Sequence, residues 1–63
     1  MISTVHRVTL EVPAVLLHSY GLRVDDARLV MPGAVQVSRY FNQMEAAQTW
    51  ERATIELARE VAK

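Results

Sequence analysis

Residues 28–38 read RLVMPGAVQVS, and whether they form a hairpin decides the fold. Met31-Pro32-Gly33-Ala34 has the residue order of a type II turn, with proline at the second place and glycine at the third. After it, Ala34 to Ser38 alternates like a strand. Before it, two readings stand. Arg28 to Met31 is a strand entering a hairpin, or Asp25 caps a helical turn holding Ala27, Arg28 and Leu29. The hairpin reading carries a known tension, because type II turns splay paired strands more than the primed types do.

Upstream, VHRVTLEVP (residues 5–13) falls into two registers. His6, Val8, Leu10 and Val12 form an apolar-leaning one, while Arg7, Thr9 and Glu11 are polar. Thr4 to Val12 therefore reads as a strand with one buried face. Pro13 ends it and suits the first position of a helix, where a missing N–H costs nothing. Ala14 to Tyr20 then reads as two helical turns stopped by Gly21, with Val15, Leu16 and the Tyr20 ring seeking cover, or equally as a continuation of the strand.

Downstream, Tyr40 and Phe41 are expected to close the core ahead of a long helix from Asn42 to Lys63. That stretch lacks glycine and proline and is rich in good helix formers. Asn42-Gln43-Met44-Glu45 fits a capping box, with Asn42 as the cap and Glu45 reaching back. Met44, Ala47, Trp50, Ala53 or Thr54, Leu57 and Val61 recur at steps of three and four and form one apolar stripe. Most of the charged residues lie off it.

A chain of 63 residues makes one domain, and one this short buries only about 60% of its unfolded surface. Such chains gain stability from disulfides, a metal or a partner subunit. No cysteine is present, and His6 and His18 cannot by themselves build a zinc site. With 51% hydrophobic residues, the expectation is a homodimer or an obligate protein partner. The stripe Met44, Ala47, Trp50, Leu57 and Val61 is its expected interface, with Trp50 as core or interface anchor.

Seven basic and seven acidic residues cancel, which argues against nucleic-acid binding by bulk charge alone. The longest apolar run, Val12 to Leu17, is far short of the roughly 20 residues a membrane helix needs. Nor does the chain open with a basic segment followed by an apolar one. A cytoplasmic protein without membrane contact is expected. Neighbouring Asp25 and Asp26 diverge on any regular backbone, so no paired-acid site, triad or phosphate loop can be assembled. Neither an enzyme nor a cofactor is expected.

Arg7-Val8-Thr9-Leu10-Glu11-Val12-Pro13 followed by Ala14-Val15-Leu16-Leu17 resembles the opening of ribbon-helix-helix proteins. The resemblance covers about a dozen residues. It implies strands of two subunits paired into a ribbon, a unit that fits the major groove of DNA. By that resemblance Arg7, Thr9 and Glu11 would face DNA, and Val8, Leu10 and Val12 the intertwined core. The C-terminal helix would resemble the toxin-binding tail of antitoxins in that family.

The sequence thus leads to a single α+β domain: an N-terminal strand, a short helix or hairpin middle and a long C-terminal amphipathic helix, in an intertwined homodimer. The leading expectation is a DNA-binding repressor or antitoxin acting through Arg7, Thr9 and Glu11. The alternative is a small protein-interaction module, adaptor or inhibitor, with no DNA contact. It would bind through the helix stripe or by adding its first strand to a sheet edge.

Overall fold

The computed structural model describes residues 5–62. Its elements are β1 (His6–Pro13), α1 (Val15–His18), β2 (Asp26–Met31), β3 (Ala34–Phe41) and α2 (Met44–Ala62). The strands form one antiparallel sheet in the order β1-β3-β2, with β3 in the centre. The chain is α+β. The expected strand residue Thr4 and helix residue Lys63 lie outside the described residues.

The hairpin reading of residues 28–38 is the one the chain adopts, and no helical turn forms at Ala27 to Leu29. Met31 pairs with Ala34 across Pro32-Gly33. Gly33 has φ +84°, while a proline ring holds φ near −65°. A negative φ followed by a positive one is the type II turn and excludes both primed types. The register of β2 against β3 slips between Leu29 and Met31, leaving Val30 as a bulge residue. The slip absorbs the splay that a type II turn imposes on its strands.

β1 runs one residue further than its pattern suggested. Pro13 pairs with Ala34 as the last strand residue instead of opening a helix. α1 shrinks accordingly to a single turn, Val15–His18, with Ala14 ahead of it. That turn has one large role: it drives Leu16 into the core, where it is fully buried. Tyr20, expected to seek cover, is exposed. Gly21, at φ +64°, lets the chain reverse towards β2.

α2 opens at Gln43, whose carbonyl accepts the Ala47 N–H at 3.1 Å, so the helix starts one residue later than a cap at Asn42 would place it. Its inward face is Ala47, Trp50, Thr54, Leu57, Ala58 and Val61, with Thr54 rather than Ala53 completing the stripe. This face lies on β1 and β3 and leaves β2 uncovered. The core is Val12, Leu16, Val35 and Val37, flanked by Leu10, Leu22, Val24, Trp50, Leu57, Ala58 and Val61. The chain's own sheet therefore covers most of the helix stripe.

Candidate interaction surfaces

Alternation along the strands sorts the sheet into two faces. His6, Val8, Leu10 and Val12 lie beside Phe41, Arg39, Val37 and Val35 on the helix side. Arg7, Thr9 and Glu11 lie beside Tyr40, Ser38 and Gln36 on the outer side, which Asp26 and Arg28 of β2 extend. The three residues singled out for DNA contact are thus exposed and share one face. Arg7 Nε donates to Thr9 Oγ1 at 3.1 Å, and Thr9 Oγ1 lies 3.1 Å from Ser38 Oγ. This face carries two arginines and two acids, so its charge cancels locally as it does over the whole chain.

Of the expected partner stripe, Ala47 is buried and Trp50, Leu57 and Val61 are half-buried against the sheet, while Met44 is exposed. Phe41 sits beside Trp50 with ring centroids 5.8 Å apart. The Arg39 guanidinium covers both rings, 4.8 Å from the Phe41 centroid and 5.7 Å from that of Trp50. At these distances the guanidinium is attracted to the electron-rich faces of both rings. Tyr40, grouped with Phe41 in the sequence reading as a core-closing residue, points to the outer face and is exposed.

The adjacent acids have separate tasks. Asp25 Oδ2 accepts the Tyr40 N–H at 2.8 Å, extending the β2–β3 pairing by a side chain, and Asp26 Oδ1 accepts the Ala27 N–H at 3.0 Å. Among the described residues no cluster of His, Cys, Asp and Glu is arranged to hold a metal. Among the described residues no helix is long and apolar enough to cross a membrane.

Two free edges bound the sheet. Because Tyr40 N–H and the Ser38 carbonyl both point towards the β2 side, the even residues of β3 face β2 and the odd ones face β1. It follows that Val8, Leu10 and Val12 spend their backbone groups on β3. The Ala14 N–H bonded to the Gly33 carbonyl at 2.9 Å continues this parity. The backbone groups of Arg7, Thr9 and Glu11 consequently point outward at the β1 edge. By the same parity Ala27 and Leu29 point outward at the β2 edge.

The two edges differ in character. Every residue of β2 is exposed, including the consecutive Leu29 (68%), Val30 (46%) and Met31 (53%). Along β1, a groove of about 330 Å³ runs between the strand and α2, lined by Leu10, Val12, Ile55 and Ala58 among others. Neither the β2 rim nor Ile55 was singled out from the sequence. The signal for the rim was present as three apolar residues between Arg28 and Pro32, hidden by the open choice between strand and helix. No family model, curated protein or solved structure matches this chain.

Proposed function

We propose that this protein is an interaction module that inserts the Leu29-Val30-Met31 rim of β2 into an apolar cleft of a target protein. The observation that carries the reading is the exposure of all three residues in a row on an edge strand. Solvent does not favour such a run, and contiguous exposed apolar surface marks a binding site. Side chains carry this contact more than the backbone does, because the bulge at Val30 breaks the outward ladder after Leu29. The zero net charge agrees with a protein partner.

The test places a photo-crosslinking amino acid at position 29, and as reference at Glu56 on the exposed side of α2, in the cells that make the protein. Position 29 should give a specific adduct. The captured protein, once purified, should lose affinity for Leu29→Lys by at least about tenfold, as truncation of a central anchor does. Leu29→Lys should leave the fold intact, since the side chain touches little. An adduct pattern at 29 no different from that at Glu56 would end this reading.

A second reading, duplex DNA as the partner of a repressor or antitoxin, is favoured by one feature. Arg7 and Thr9 lie exposed on the same sheet face as Gln36, Arg28 and Tyr40. Strands do read base edges in the major groove. Under this reading a labelled duplex from upstream of the gene binds saturably and more weakly as salt rises, and Arg7→Ala abolishes binding. Equal binding of random duplex would remove it.

A further inference from the structure

We infer that two copies of this chain pair through their β1 edges, antiparallel about a two-fold axis at Thr9, to make a continuous six-stranded sheet. The inference is independent of the target-binding role of β2 and concerns the opposite side of the sheet.

Three features of β1 make it its own complement. First, its outward backbone groups belong to Arg7, Thr9 and Glu11, evenly spaced on an eight-residue strand with no bulge. A two-fold axis at Thr9 places Thr9 opposite Thr9 and Arg7 opposite Glu11 of the other copy. Each of these is a hydrogen-bonded pair, giving roughly six backbone hydrogen bonds across the seam. Second, the charges select that register. An axis at Arg7 or at Glu11 would set like charges face to face, whereas the axis at Thr9 makes two opposite-charge cross-strand pairs on the outer face. Third, the groove between β1 and α2 lies on the helix side of the same seam. In this register Val8 of the second copy comes opposite Leu10, at the mouth of the groove, and the exposed Ile55 stands above it.

Pro13 fits the same arrangement. Its parity puts the missing N–H on the open edge, outside the β1–β3 ladder and beyond the last seam pair. β2 offers a weaker version of the pattern, Asp26 and Arg28 flanking Ala27, but its outward ladder is cut at Val30. The resulting interface is isologous, as a closed dimer requires.

Sedimentation equilibrium of the full chain across the micromolar range tests the inference. The wild type should show a two-copy mass at the upper end. Glu11→Arg and Arg7→Glu, both on exposed side chains, should each weaken the dimer by roughly tenfold or more, because each turns two attractions into two repulsions. The double variant Arg7→Glu with Glu11→Arg should recover the wild-type constant to within about threefold, since the pairs are restored with their signs exchanged. Thr9→Pro should give a folded monomer by circular dichroism, because the N–H it removes faces the open edge. A wild type that stays monomeric overturns the inference. So does a dimer indifferent to both single reversals, or one that the double variant fails to restore. A dimer dissociated by Leu29→Lys in place of the β1 variants would assign self-association to β2 and overturn it equally.

Discussion

At Gly33 one torsion angle decides which strands can pair. A φ of +84° is open to glycine and strained for L-residues with a side chain, yet a Cβ built there meets nothing within 4 Å. Space and backbone strain are therefore separable at this position. Gly33→Ala should destabilise the protein by about 1–2 kcal/mol through the backbone alone. Gly33→Asn should cost less, because asparagine tolerates positive φ better. Urea unfolding of both variants checks this, and equal losses would show that the turn had abandoned its type II geometry. Asp25 makes a related point about side chains standing in for backbone. By accepting the Tyr40 N–H it extends β2–β3 pairing past the end of the strand, a task that no spacing rule assigned to it.

Elements were legible where their periodicity was long and unbroken. The stripe of α2 was readable because it repeats over 19 residues, and the register of β1 because its polar and apolar residues alternate without a gap. Boundaries were less so. Pro13 marks both a strand end and a helix start in sequence terms, and pairing with Ala34 decided for the strand. The choice between Ala53 and Thr54 could not be made from apolarity, since the buried residue is the polar one. The same helix face yields a direct test. Ala47 is buried while its neighbour Ala46 is exposed. Ala47→Leu should cost about 1–3 kcal/mol by overpacking against the sheet, and Ala46→Leu should stay within about 0.5 kcal/mol of wild type. Thermal unfolding of the pair would reveal a rotated helix if the order were reversed.

Over the whole molecule, one long helix is too narrow to roof three strands, and this decides where the free surfaces lie. α2 sits over β1 and β3 and leaves β2 bare on both faces. The sequence pointed to the helix as the surface needing a partner because its stripe is long. β1 and β3 supply that partner internally, and an uncovered apolar run is left on β2, where the short stretch Leu29-Val30-Met31 carries no period to announce it. Candidate residues Arg7, Thr9 and Glu11 were legible as a solvent face. Their outward backbone groups were not, because those depend on which side β3 takes.

The bulge at Val30 and the proline that follows it have a further consequence. Sheets with two open, regular edges are templates that can add strands without limit, the route to fibrils. Here one margin is regular and the other is interrupted and then closed off by Pro32, a residue with no N–H to offer. Any strand pairing that begins at β1 ends at β2, so assembly of this chain through its sheet is self-terminating.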